Sequence, residues 1–403
     1  MKPAALLACA LILLPSAGRA CLQDRDSLET EARGVPDVMR ALSGRFERNP
    51  PLFYQMRMQR VQAELKAAPA RLDLYDDIAV AADRLNRDDE ALSWIEKKRA
   101  RLQVLDAKQP EVREHWYRYF ANAGTFRLHR WIAQGANRQK LSEVKIARNL
   151  IAKAIAIKPG AHFGREKYQL KTMDWILYPP SAKCAGDGLP DILGLCKDDE
   201  VWGAGVGQAE LEKLGYGDAE RGLTGLITLG AAWESIDVFN ALRYVEAHRW
   251  DSSVLYLLGL RLREMAKEGR TSLYPGAPSS RDMAYLFEPR IANFNLGAGS
   301  PSQTKPEQLE AIYKRLRAEA DDWHARRTAF MLERLNAGRH PDTDPTFWNG
   351  WDDGAPPSLE PPTTAQDVAK IIANQLPLIV VVSTGLFLLV MLRRERRQRR
   401  AAA

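Results

Sequence analysis

Two kinds of residue in this chain could do chemistry: cysteines able to bridge, and acid and histidine neighbours able to move protons. Once Cys9 is set aside with the apolar N-terminal run, Cys21, Cys184 and Cys196 remain, and the last two bracket the Gly/Pro-containing stretch AGDGLPDILGL. A bridge closing so short a loop is worth about 3 kcal/mol by loop entropy. The pairing Cys184–Cys196 is favoured over any pairing with Cys21 because a short loop closes most readily. The proton-transfer candidates are Glu114 with His115, Glu166 near His162, and Glu246 near His248. Such neighbours arise often by chance on helices, and no GxSxG, Walker loop, GxGxxG after a strand or HExxH accompanies them. No catalytic residue and no cofactor is therefore expected. No metal is expected either: CxxC and HxxxH spacings are absent, and Asp187, Asp191, Asp198, Asp199 and Glu200 lack the alternating oxygens and glycine of a calcium loop.

The elements that would position any site follow from charge and hydropathy. The 403 residues carry a net charge of +7. Lys2 and Arg19, without an acid, make residues 1–20 +2, and six arginines against Glu395 make 371–403 +5, so 21–370 is balanced. A nucleic-acid binder needs its cationic excess on the folded surface, so that class is excluded.

Both charged ends have another reading. Lys2, the apolar run Ala4–Leu14 and the small-residue stretch Ala17-Gly18-Arg19-Ala20 form the pattern of a secretory signal peptide over 1–20, and the apolar run is too short to span a bilayer. Cleavage after Ala20 would leave Cys21 first, but Gly18 and Arg19 do not fit a lipidation site. Residues 371–392 carry no charge and form a transmembrane helix. The arginine-rich 393–403 that follows belongs in the cytoplasm by the positive-inside rule. The expected location is the bacterial inner membrane, single-pass, with the bulk of the chain periplasmic. In that compartment disulfides persist.

Between these ends the pattern is helical, with apolar and small residues at three- and four-residue steps. After a polar leader at 21–52, with a helix around Val38–Phe46, the region 53–177 repeats. Counting from Leu72, Tyr75, Ile78, Ala79, Ala82, Ala91 and Ile95 fall at positions 4, 7, 8, 11, 20 and 24 of a unit of about 34 residues, with Asn86–Asp89 as its turn. This resembles a tetratricopeptide repeat, and Lys98, where that family prefers alanine, departs from it. A second unit pairs Phe120, Ala123 and Gly124 with Ala147, Ile151, Ala154 and Pro159, and contains an insertion around Gly135-Ala136-Asn137. The resemblance implies an all-α fold, an α-solenoid of antiparallel hairpins, and a groove lined by first helices. Positions 2, 5, 9 and 12 then name Asp73, Asp76, Val80 and Asp83, with Arg118, Thr125 and Leu128 from the next first helix. Three carboxylates on one helical face are expected at the surface, either as a solvated face that keeps the helix soluble or facing a basic partner.

Residues 178–207 form a loop region around the two later cysteines, and 208–340 a second helical subdomain. There Ser235 is placed to cap a helix. Leu309, Leu316, Trp323 and Phe330 recur every seven residues on a long helix from Pro306 to Leu335, while Glu319, Arg326 and Glu333 disfavour a coiled coil, so the helix is expected to dock on the body. The proline-rich 341–370, with Trp348-Asn349-Gly350-Trp351 in it, is expected to be an extended tether whose two tryptophans dock either on the body or at the headgroups. The functional expectation is a membrane-tethered scaffold that binds another envelope protein or peptide. The alternative is an envelope hydrolase with its site in 178–340, dependent on His248 or His324.

Overall fold

A computed structural model describes residues 24–25, 37–180, 184, 188–197, 207–230, 232–249, 252–287 and 305–360. The expected signal peptide, Cys21, the apolar segment 371–392 and the basic tail lie outside the described residues. The chain divides into two compact units, Met1–Pro357 and Ser358–Ala403.

Among the described residues the first unit is all-α, with thirteen α-helices and no strand. They are α1 (Val38–Ser43), α2 (Pro51–Ala67), α3 (Leu72–Arg84), α4 (Asp88–Leu102), α5 (Pro110–Ala133), α6 (Leu141–Ile157) and α7 (Arg165–Leu177), then α8 (Gly207–Lys213), α9 (Ala219–Gly225), α10 (Ile236–Arg249), α11 (Ser252–Lys267), α12 (Ser280–Leu286) and α13 (Pro306–Asn336). None of these helices is long and apolar enough to cross a membrane.

From α2 to α7 each helix packs on the next, and α3 also touches α5. Small residues set the spacing: a Cβ on Gly124 of α5 would lie 2.9 Å from the Ile151 side chain and 3.0 Å from the Ala147 carbonyl of α6, too close for any larger residue. Ala79, Ala82, Ala91, Ala147 and Ala154 are all fully buried in these contacts. The turns stand where the sequence places them, with Asn86 at φ 61 between α3 and α4, and Gly135 and Ala136 at φ 86 and 51 between α5 and α6. Asp37 caps α1 through a 2.7 Å hydrogen bond from the Arg40 amide. Ser235 caps α10 by accepting from the Val238 amide.

The long helix α13 docks on α1, α2 and α11, as its seven-residue stripe requires. Leu309, Leu316, Trp323, Met331 and Leu335 are buried there. The tether is corrected over its first half. Residues 340–357 fold back on the body instead of extending from it. Phe347 is fully buried, and Trp348 stacks on Phe330 with ring centres 5.9 Å apart. Trp351 meets both Phe330 and Trp323, and Arg45 donates to the carbonyls of Asp353 and Ala355. Proline restricts the backbone here, but the aromatic rings beside it find an apolar helix face, and burying them decides the path. Residues 361–370 lie outside the described residues.

The Cys184–Cys196 disulfide is formed. Asp191, one of the acids weighed for calcium, is buried inside the loop and accepts from the Leu193 and Cys196 amides at 2.8 Å each. It is a capping acid of the staple.

Candidate functional site

The groove expected from the first helices is filled. Asp76, Val80, Asp83, Thr125 and Leu128 are each no more than 2% exposed. Asp76 is ion-paired with Lys98, which is fully buried, and Asn122 donates to its other oxygen at 3.1 Å. The Asp83 carboxylate sits 2.7 Å from His129 Nδ1. Gln169 donates to the Thr125 hydroxyl at 2.9 Å. Of the predicted set only Asp73 and Arg118 reach solvent, and each is held by a neighbour, Asp73 by Arg71 and Arg118 by Glu114. A surface of carboxylates for a basic partner is thus overturned.

The rest of the chain covers this face. Arg84 donates to the carbonyls of Leu229 and Gly230, at 3.1 and 2.9 Å, in the π-helical turn after α9. Leu128 and Ile132 close with Leu226, Val238 and Leu273 around a cavity of only about 30 Å³, space for one water at most. Arg25 pairs with Asp77 of α3. Helical periodicity reports which residues share a side of a helix, and here the shared side is an interior one.

Open space lies on the other face, beside α4. Between α2 and α4 is a cleft of about 620 Å³ lined by Leu65, Tyr75, Trp94 and Val104 with Lys66, Lys97 and Arg101. Tyr75 is buried and donates its hydroxyl to the Pro69 carbonyl, which shapes the cleft's inner end. Lys97 Nζ stands 3.6 Å above the Trp94 ring, a cation–π contact. Val104 is 82% exposed at the mouth.

A second cleft of about 520 Å³ lies on the far side of α4, against α5 and α6. Trp116 and Phe120 stack along it at 5.4 Å, and Tyr119 crosses Trp116 edge-on. Arg99, Arg127 and Lys153 surround these rings. Arg99 is held by Glu96 and Arg127 by Glu143, while Lys153 lies 5.4 Å from the Phe120 ring. Ile146 is 44% exposed at its edge.

No family model, curated protein or solved structure matches this chain.

Of the acid and histidine candidates, Glu114 and Glu166 are engaged in holding the structure. Glu114 bonds Arg118 and Lys158 at 3.2 and 3.0 Å, and burial, with Lys98 and Arg118 nearby, pulls His115 down to about 4. Glu166 is buried and accepts from the Tyr117 hydroxyl at 2.8 Å. His324 donates from Nε2 to the Gly44 carbonyl at 2.8 Å and is likewise pulled down to about 4, chiefly by burial. The side chains of His162 and His248 lie outside the described residues. No group of three or more His, Cys, Asp or Glu able to hold a metal occurs among the described residues.

The cleft residues carried a signal in the sequence that the repeat pattern obscured. Trp94 and Trp116 stand within helical patterns, where inter-helix packing would account for them, and both are only half-buried. Lys97, Arg99 and Arg101 stand beside apolar positions of a second helix, whereas the repeat register directs attention to first helices.

Proposed function

We propose that the chain is an exported, membrane-tethered helical-repeat scaffold that binds another protein or peptide of the cell envelope. The signal-peptide pattern at 1–20 and the charge-free 371–392 before an arginine run support the address. Serial hairpins from α2 to α7, with α3 touching α5, support a tetratricopeptide-like solenoid whose inner face is occupied by its own chain. The observation that carries the binding role is the pair of aromatic and cationic clefts flanking α4, since apolar hollows rimmed by polar groups are where proteins hold partners.

Cross-linking in native membranes followed by purification of the full chain tests this reading. The expected result is one envelope protein recovered in near-stoichiometric amount. Recovery of the chain alone, at every cross-linker length, would overturn it.

A further inference from the structure

We infer that the cleft between α2 and α4 seats an extended acidic peptide segment that carries one aromatic or aliphatic anchor between its carboxylates. The inference rests on the scaffold reading and names the chemistry of the partner.

The charge around this cleft is unbalanced. Lys66, Lys97 and Arg101 are exposed around one cleft, and among the described residues none of them has a carboxylate within ion-pair distance. The nearby acids are taken: Glu64 by Arg60 and Arg71, Glu90 by Arg87, and Glu96 by Arg99. On a body whose residues 21–370 carry no net charge, three uncompensated cations at one cleft are a local field that a segment of opposite sign would neutralise.

The floor of the cleft is apolar. Tyr75 and Trp94 form an aromatic base with ring centres 6.5 Å apart, and Val104 stands exposed at the mouth. An aromatic or branched aliphatic side chain would bury this surface, and the volume of about 620 Å³ suits an anchor of that size with its flanking backbone. Lys97 over Trp94 puts an ammonium directly beside the anchor's seat, so carboxylates next to the anchor would meet it. A membrane surface or a nucleic acid fits less well. Both are extended polyanions that call for a broad basic face, and this body has a local one.

The test uses the full chain in nanodiscs of zwitterionic phosphatidylcholine and a fluorescein-labelled peptide Gly-Glu-Asp-Glu-Phe-Glu-Asp-Glu-Gly, with binding read by anisotropy. A control peptide has lysine at every acidic position. The acidic peptide should bind, the lysine peptide should not, and added salt should weaken binding steadily. The variant Lys66→Glu, Lys97→Glu, Arg101→Glu should weaken it at least about tenfold, with helical circular dichroism unchanged because all three residues are exposed. Should that variant fail to fold, Lys97→Gln with Arg101→Gln takes its place, and the salt series on the unaltered chain needs no variant. Absence of acidic-peptide binding, binding indifferent to charge reversal, or binding of phosphatidylserine vesicles in place of the peptide would each overturn the assignment. An envelope partner that still co-purifies with the charge-reversed chain would overturn this site and leave the scaffold reading standing. A chain that recovers no partner even unaltered would remove the scaffold reading itself.

Discussion

Lys98 reaches from α4 into the interior and neutralises Asp76 of α3, and both side chains are shut off from water. Burial pushes the Asp76 carboxyl up and the Lys98 ammonium down, so each charge persists through the other. Breaking such a pair from one side leaves a buried charge without compensation, at a cost of about 3–5 kcal/mol. Lys98→Met should therefore destabilise the body strongly, while adding Asp76→Asn should recover much of the loss. Urea unfolding of the two single variants and the double variant, followed by circular dichroism, measures the coupling, and additive losses would contradict it.

Arg57 holds two distant parts of the chain to α2. It is fully buried, bonds Asp342 at 2.8 and 2.5 Å, and pairs with Asp24 at 3.4 Å. His340 beside it donates from Nε2 to the Phe53 carbonyl and accepts from the Asp342 amide, so the segment before Phe347 is pinned at several points. Arg57→Met should cost several kcal/mol. It should also make residues 340–357 the first site of cleavage in limited proteolysis, where the parent chain resists.

The staple makes a redox prediction. With a sequence separation of 12 between its cysteines, the Cys184–Cys196 bridge is worth about 3 kcal/mol. Cys184→Ala with Cys196→Ala should lower the unfolding temperature to that of the reduced parent, and reductant should no longer shift it. Asp191, which accepts from the Leu193 and Cys196 amides, should still hold the loop in part without the bridge, so helical circular dichroism at low temperature should be unchanged.

Acid and base act on this body in opposite senses at two residues. Burial of Asp237, which accepts from the Leu273 amide and the Ser272 hydroxyl, pushes its carboxyl up from 3.8 to about 6. Its folded value exceeds its unfolded one, so its contribution is fully present below pH 3.8 and is lost as pH rises through 6, by roughly 3 kcal/mol. Asp237→Asn should compare better with the parent at pH 7 than at pH 4. The folded value of His324, about 4, lies below its ordinary 6.5, so its contribution is present above 6.5 and fades as pH falls toward 4. His324→Gln should flatten the acid limb of the stability profile measured by thermal melts. Unchanged profiles in both variants would show that these groups are not titrating as their burial demands.

The topology proposed from the two ends predicts that a tag after Ala403 is protected from protease added to spheroplasts while the body is digested. Digestion of the tag under those conditions would reverse the orientation.

The longer helices, the turns between them and the disulfide were legible along the chain, because each depends on residues close in sequence, whereas the short helix α12 falls in a stretch whose Gly, Pro and Ser content reads as a connection. Small residues at three- and four-residue steps mark where α3 meets α4 and α5 meets α6, a glycine or asparagine marks a turn, and a short loop brings Cys184 to Cys196. Which face of α3 meets water was decided only by the tertiary structure. Asp76 and Asp83 read as surface charges because the partners that hold them, Lys98, Asn122 and His129, lie on other helices, and the last two are 46 residues away. The same holds for 340–357, where prolines suggest extension but Phe330 and Arg57, on separate helices, supply the stacking surface and the counter-charge that fold the segment back. Periodicity sorts a helix into two sides, and only the packing of distant helices against it decides which side is buried.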